Sequence, residues 1–351
     1  MSQLAARWAD RAAIHLITWS DVASDTYMVP NCVVRHGLGQ VATSSSLWEG
    51  MRANWKRVRL LRHKLREIDP HWILSFSDQM NIVGLEAARG LGVPMWIAEH
   101  SDPAKQRLST LWELWRRRSY PACRGCVALT PAIAETLARW IPAARLRVIP
   151  PAVSLPAGQR FDVLSHAADS RPPAVKTVFF LGRLSVEKGV DVLLEAWSQL
   201  APRLPDWQLV IAGDGPQRHM LTARLAALDR VQFLGWLPEP WDRLSTCDLF
   251  VLPSRYEGFP VALLEAMSLA RPAVVTRCSS AIPLLLSTGQ CLIDVPVNDP
   301  ASLAQGIYSA CTDRSLRVRL SENGFQVAGH YTWEKIGPMW DALLPHARKA
   351  S

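Results

Sequence analysis

Two domains, each a doubly wound parallel α/β sheet, are what the sequence predicts, on three observations. Short apolar runs alternate with helical patterns at the spacing of strand–helix–strand units. The alternation occurs twice, on either side of residues 155–175, a stretch with Pro, Gly, Ser and Asp and few large apolar groups that reads as a linker. The length, 351 residues, is enough for two separate cores. The expected division is a first domain over 1–154, a linker over 155–175, a second domain over 176–329 and a closing segment over 330–351.

In the first domain, residues 2–9 read as the tail of a helix, 12–19 as a strand and 31–38 as a short extended piece. A basic amphipathic helix over 49–68 is stopped by Asp69-Pro70. A buried strand (71–76) and a helix (79–91) follow, the helix closed by Gly92. Next come a strand over 93–98, the loop Glu99-His100-Ser101-Asp102-Pro103 and a helix over 108–120. A short strand (127–129), a helix with Pro at its first turn (131–140) and a strand (147–149) complete the series. In the second domain the strands fall at 177–181, 208–212, 231–234, 249–252 and 273–276, and the helices at 190–200, 217–227, 261–270 and 300–312. Two such domains imply a cleft, and open α/β sheets bind ligands at the carboxyl ends of their strands.

One strand end carries more chemistry than the others. The apolar run Leu249–Leu252 leads through Pro253 and Ser254 to Glu257, a Gly258-Phe259-Pro260 turn and a helix whose apolar face is marked by Val261, Leu264 and Met267. Glu257 and Glu265 stand eight positions apart, with the free N–H groups of the first turn between them. Such a helix start favours anions, and carboxylates accept from pairs of hydroxyls. A phosphorylated, hydroxyl-rich ligand fits; an amphipathic helix with two solvated glutamates fits the spacing equally. Two other strand ends are polar. Gly182-Arg183 to Lys188-Gly189 offers a bidentate arginine and a lysine to a diphosphate, and Ala212-Gly213-Asp214-Gly215-Pro216 is a tight loop that a flat ligand could approach.

Composition limits the alternatives. No apolar run reaches the length of a membrane span, and the N-terminus lacks a signal-peptide core, which points to the cytoplasm. Seven scattered cysteines read as free thiols, with Cys123-Arg-Gly-Cys126 structural rather than metal-binding. Residues 1–150 hold 20 Lys+Arg against 12 Asp+Glu, whereas 151–351 hold 19 of each. The basic excess clusters at Arg52, Lys56, Arg57, Arg59, Arg62, Lys64 and Arg66, at Lys105 and Arg107, and at Arg116-Arg117-Arg118. Interleaved with Trp48, Trp55, Trp112 and Trp115, these clusters suit either solvated helix faces or an anionic membrane surface. No nucleic-acid-binding signature accompanies the charge.

The second domain resembles the donor-binding half of glycosyltransferase family 4, with the GT-B fold. The pieces that carry the resemblance are G-R-L-S-V-E-K-G (182–189), A-G-D-G-P (212–216), V-Q-F-L-G-W (231–236), the run from Asp248 to Met267 and P-A-V-V-T (272–276). The first domain, through S-F-S-D-Q-M-N (75–81) and E-H-S-D-P (99–103), resembles bacterial enzymes that extend lipid-linked or surface polysaccharides. The resemblance implies transfer of a hexose or N-acetylhexosamine from a nucleotide diphosphate sugar, with retention and without a metal or other cofactor. Arg183 and Lys188 would hold the donor diphosphate and Glu265 the ribose. Glu257 and the Gly258-Phe259 backbone would hold the sugar. Val261 opens the anion-binding helix, Gly235-Trp236-Leu237 borders the base, and His100 faces the donor sugar. The acceptor would be a growing glycan or a polyprenyl-diphosphate-linked chain, on the inner face of the cytoplasmic membrane. Residues 330–351 would form the helix that returns towards the first domain.

The chain departs from the family at its start. M-S-Q-L-A-A-R-W resembles the middle of the first helix, so the first strand and its Gly-Gly loop are expected to be missing and Met1 to be an internal methionine. Loss of that strand would leave neighbouring sheet edges unpaired. A transferase-like protein without activity, and a nucleotide-sugar epimerase of similar shape, are the alternatives.

Overall fold

The structure, a computed structural model, describes residues 1–22, 29–39, 47–106, 108–153, 175–225 and 228–345. Residues 154–174, which contain nearly all of the expected linker, and Arg107 lie outside the described residues. The chain divides into two compact units, Met1–Ile149 with Gly337–Ser351, and Pro150–Ile336.

In the first unit the order is α1 (Ser2–Trp8), β1 (Ile14–Thr18), β2 (Val33–Gly37), α2 (Leu47–Ile68), β3 (Ile73–Phe76), α3 (Asp78–Ala88), β4 (Met95–Glu99), α4 (Thr110–Ser119), β5 (Gly125–Ala128), α5 (Pro131–Leu137) and β6 (Leu146–Val148). The strands form two parallel sheets, β1–β2 and β3–β4–β5–β6, and among the described residues no ladder joins them. All four residues of β5 are buried. Gly125 lets the Trp96 ring of β4 lie against the backbone, since a Cβ there would meet that ring at 2.5 Å. Helix α3 packs against both α2 and α4 and is correspondingly apolar, with Ile82, Val83, Leu85, Ala87 and Ala88 buried. Thr130 caps α5 by accepting from the Ile133 N–H at 3.2 Å, with Pro131 at the first helical position.

The second unit continues with β7 (Lys176–Leu181), α6 (Val190–Leu200), β8 (Trp207–Ala212), α7 (Arg218–Leu225), β9 (Val231–Gly235), α8 (Trp241–Thr246), β10 (Leu249–Leu252), α9 (Val261–Ser268), β11 (Ala273–Thr276), α10 (Ala281–Leu286), β12 (Ile293–Val295), α11 (Pro300–Thr312) and α12 (Arg314–Ala328). Its six parallel strands run β12–β11–β10–β7–β8–β9. The order reverses between β7 and β10, which are neighbours, so the crossovers from these two strands leave in opposite directions and open a crevice at their carboxyl ends. The core holds Phe180, Trp197, Leu209 and Val251, all at or near zero exposure. The buried Trp197 indole keeps its hydrogen bond by donating to the Asp229 carbonyl at 3.1 Å. A final helix, α13 (Trp333–Asp341), ends in the first unit, where Asp341 accepts from Arg7 at 2.9 and 2.8 Å and from the Trp8 indole at 3.0 Å.

Several elements depart from expectation. Helices expected over 79–91 and 131–140 end at Ala88 and Leu137. Helix α7 is described to Leu225, and the expected end of that helix, 226–227, lies outside the described residues. Strand β12 and helices α8, α10 and α12 were not predicted. Of these, α12 carries Gly324 at its centre, which weakens its helical pattern; the glycine sits against the Met267 side chain of α9, 3.4 Å from where a Cβ would be. Cys123 and Cys126 are buried free thiols; burial pushes Cys123 up to about 11, and Cys126 is pushed up as well, so both are poor nucleophiles.

Candidate active site

A polar cluster of the second unit stands where its strand order reverses. The loop after β7 carries Arg183 and Lys188, and the loop after β10 carries Ser254, Arg255 and Glu257. Two glycines bring backbones together here. A Cβ on Gly189, at φ +64°, would meet the Pro253 carbonyl oxygen at 2.2 Å, and one on Gly213 would meet the Gly182 oxygen at 1.8 Å. The loops after β7, β8 and β10 are therefore held at backbone contact.

This contact sets Lys188 against Glu257. The Lys188 ammonium donates to Glu257 Oε1 at 2.6 Å, and the Ser254 hydroxyl donates to the same oxygen at 2.8 Å. The two residues expected to bind diphosphate and sugar thus bind each other. Ser254 is fully buried, so the carboxylate is oriented from below by a fixed hydroxyl. Arg183 is exposed at the end of β7, and its guanidinium makes no hydrogen bond among the described residues. Gly258 is buried, and its carbonyl accepts from the Ser279 hydroxyl at 2.8 Å. Phe259 packs on the Tyr331 ring at 5.5 Å.

Helix α9 begins just beyond, and one expectation about it is corrected. Its buried face is Leu263, Leu264, Ala266 and Met267, whereas Val261 is 41% exposed. Position 261 lies in the first turn, before the helix settles onto the sheet, so its side chain turns outward beside the free N–H groups. Glu265 follows one turn on. Its carboxylate has no hydrogen-bond partner among the described residues, and burial pushes it up to about 7, with its partly open side limiting the effect. At the end of β9, Gly235 adopts φ +72° and accepts from the Gly213 N–H at 2.7 Å. The next residue, Trp236, is 48% exposed and Leu237 is half-buried.

Sequence reasoning missed the residue that holds this cluster in register. Arg255 donates to both oxygens of Asp191 at 2.9 and 2.7 Å, to the Val186 carbonyl at 2.6 Å and to Asn298 at 2.7 Å, while its backbone N–H reaches the Glu187 carbonyl. The guanidinium holds the Asp191 carboxyl below the usual range. The pair is 64 positions apart and carries no local pattern, so only the fold reveals it.

His100 belongs to the first unit, on the turn after β4. Its ring is exposed and meets Phe76 edge-on at 5.4 Å. Crowding by surrounding protein pushes the imidazole down to about 4, an effect the open edge of the ring moderates. The basic clusters of this unit separate into two kinds. On α2, Arg52, Lys56, Arg59, His63 and Arg66 form one exposed stripe, with Trp55 57% exposed beside it. On α4, Leu111, Leu114, Arg117 and Arg118 are exposed, over a stacked Trp112–Trp115 pair. Arg57, Arg62, Lys64 and Arg116 instead have partners within the unit. Arg57 lies over Trp19, Arg62 donates to carbonyls of α3, Lys64 pairs with Glu67, and the buried Arg116 lies 4.7 Å from the Trp140 ring centre. The Trp48 side chain lies outside the described residues.

Known proteins resemble this chain along both units. Residues 2–156 match the model of Glycosyltransferase Family 4, and residues 175–313 that of Glycosyl transferases group 1. A lipopolysaccharide core biosynthesis glycosyltransferase of Rhizobium meliloti is 30% identical over 243 residues, 68% of this chain and 69% of that protein. A Campylobacter jejuni N-acetyl-D-galactosaminyltransferase, named for an undecaprenol-diphosphate-linked substrate, is 26% identical over 87% of this chain and 83% of its own. An alpha-D-kanosaminyltransferase of Streptomyces kanamyceticus is 35% identical over 163 residues, 45% of this chain but 41% of its own length. Among solved structures, Anabaena HepE in complex with UDP-glucose superposes with a TM-score of 0.74 at 20% identity, over 97% of this chain and 94% of that one.

Proposed function

The chain belongs to glycosyltransferase family 4, and from that premise we propose that it moves a hexosyl or N-acetylhexosaminyl group from a nucleoside diphosphate sugar to a growing cell-surface glycan or a polyprenyl-diphosphate-linked chain. The observation that carries this reading is the Lys188–Glu257 pair at the strand reversal of the second unit. A cation for a diphosphate and a carboxylate for hydroxyls stand one hydrogen bond apart, the order in which those groups occur in a nucleotide sugar. Lys188 and Arg183 take the diphosphate, Glu265 the ribose and Glu257, with the Gly258-Phe259 backbone, the sugar. Trp236, exposed beside the Gly235 turn, borders the base.

Transfer proceeds with retention and without a metal ion. The bond from the anomeric carbon to the diphosphate oxygen breaks. The acceptor oxygen bonds to the same face of that carbon, and its proton passes to the departing phosphate. Lys188, Arg183 and the first-turn N–H groups of α9 stabilise the charge that develops on the leaving group, the task a metal would otherwise perform. His100, on the turn after β4, is assigned a catalytic part in the same transfer.

A polyprenyl-diphosphate-linked acceptor is lipid-bound, and the α2 stripe with exposed Trp55, together with Leu111 and Leu114 of α4, suits docking on an anionic membrane surface at the inner face of the cytoplasmic membrane. Among the described residues no helix is long and apolar enough to cross a membrane. The test is a panel of nucleoside diphosphate sugars with bacterial membrane extract as acceptor. Incorporation into lipid-extractable glycan by the wild type and loss with Glu257→Ala are expected; incorporation that survives Glu257→Ala overturns the site, and none from any donor overturns the reading.

A further inference from the structure

We propose that Glu99 is a positioning residue for the transfer reaction, its buried carboxylate fixing the turn on which His100 stands; this rests on the transferase reading above. Glu99 has zero exposure at the end of β4. Its Oε1 accepts from the Ser101 hydroxyl at 2.7 Å and from the Ser101 N–H at 3.3 Å, and its Oε2 accepts from the Tyr120 hydroxyl at 2.6 Å. The donors are neutral, and Asp78, the other carboxylate close enough to be felt, adds a like charge. Taking a carboxylate out of water with no cation beside it works against stability. The arrangement therefore needs a different reason.

The geometry supplies one. Glu99 and Ser101 flank His100, so the bonds between them span that residue like a bridge. Both sides of the bridge are pinned. The Ala98 carbonyl receives the Ser77 N–H at 3.1 Å and the Asn81 amide at 3.0 Å. Asp102 accepts from the Ala104 N–H at 3.0 Å through its side chain, and from the N–H groups of Lys105 and Gln106 through its carbonyl. Between 98 and 102 the imidazole of His100 is the exposed side chain, whereas Ala98, Glu99 and Asp102 are buried. A frozen turn with one ring standing out of it is how a fold holds a group to the tolerance that a reacting geometry demands. Ser77 adds to the pattern. It sits at φ +69° and ψ 153°, a strained conformation for a residue with a side chain, and its N–H is one of the two that fix Ala98.

A double-mutant cycle tests the proposal, because a carboxylate that acts through His100 loses its effect once the ring is gone. Glu99→Gln and Ser101→Ala are each made alone and with His100→Ala, and kcat and the donor KM are measured. In the wild-type background kcat should fall about 10- to 100-fold for Glu99→Gln and by a smaller factor for Ser101→Ala, with donor KM little changed. With His100→Ala present, neither should reduce kcat further. Equal losses in the two backgrounds, or no loss in the first, overturn the proposal while leaving the transferase reading intact. Undiminished transfer by His100→Ala overturns the role of His100 and the proposal with it. Ser101→Ala removes one hydroxyl at a half-buried position, so it decides the matter if Glu99→Gln does not fold.

Discussion

Glu257, on the loop after β10, and Glu99, the last residue of β4, are both carboxylates at the carboxyl ends of parallel strands, and the molecule treats them in opposite ways. Glu257 is neutralised by Lys188 across two loops of the second unit, with solvent on one side. Glu99 is sealed in the first unit among neutral donors. A carboxylate paired with a cation is a site waiting for a competitor, because a ligand phosphate can take the lysine and leave the carboxylate for hydroxyls. A carboxylate held only by neutral donors has no such exchange partner and serves as a fixed anchor. The same substitution to an amide should therefore do different things in the two places.

At Glu257 the largest effect is expected. Glu257→Gln should lower transfer by about 10²–10³-fold and yet tighten binding of free UDP, GDP or ADP by about two- to fivefold, because Lys188 is released from its partner. Calorimetric titration decides this, and weaker nucleotide binding would break the picture of competition. Next in size is the staple beneath the pair. Arg255→Ala should cost about 1–3 kcal/mol in chemical denaturation, and Arg255→Lys should recover little, since an ammonium cannot grip Asp191 with two parallel bonds. The Asp191 carboxyl is held below its usual range, so its contribution is present above the unfolded value and lost as pH falls through the lowered one. Wild type and Asp191→Asn should differ by a constant amount from pH 5 to 8 and converge below about pH 4.

Glu265 and Glu99 should show the reverse sign. Burial raises both, so the favourable contribution is present below the ordinary carboxyl value and is lost as pH rises through the raised one. For Glu265 that window runs from the ordinary carboxyl value of 4.5 to about 7. Glu265→Gln should match wild-type stability near pH 4 and exceed it at pH 8, by less than about 3 kcal/mol because solvent screens its open side, while losing donor affinity. Thermal melts at the two pH values check both variants. The smallest effect belongs to the surface stripe. Arg59→Glu should weaken sedimentation with anionic vesicles by about 1–2 kcal/mol, with little change on neutral vesicles and a strong dependence on salt.

The second unit was the more legible half because its signals are local. An apolar run, a Gly-Phe-Pro turn and a helix start are read from consecutive residues, and Lys188 and Glu257 each announce themselves within their own loop. What the sequence hid is what the fold assembles. Arg255 and Asp191 are one unit of structure but lie on different crossovers, and Ser254 looks like an ordinary strand terminator until its hydroxyl is seen under Glu257. The outward turn of Val261 was hidden because the first turn of a helix has not yet adopted the face that its periodicity predicts. In the first unit the burial of Glu99 was hidden, since nothing in E-H-S-D-P says that both of its acidic groups go inside. Three of the seven basic residues clustered on α2 were likewise hidden in role, because the long arms of Arg57, Arg62 and Lys64 find partners that linear spacing does not reveal.

The carbonyl of Pro253, 2.2 Å from where a Cβ on Gly189 would stand, has a consequence for remodelling the protein. Loops that touch through backbone, and are sewn together by one arginine reaching Val186, Asp191 and Asn298, cannot be exchanged one at a time. A graft that imports a foreign loop after β7 alone meets a carbonyl it was not shaped for and leaves Arg255 without its acceptors. Residues 182–191, 212–216, 253–257 and Asn298 form a single transplantable cassette, and donor preference should move between relatives only when all of them travel together.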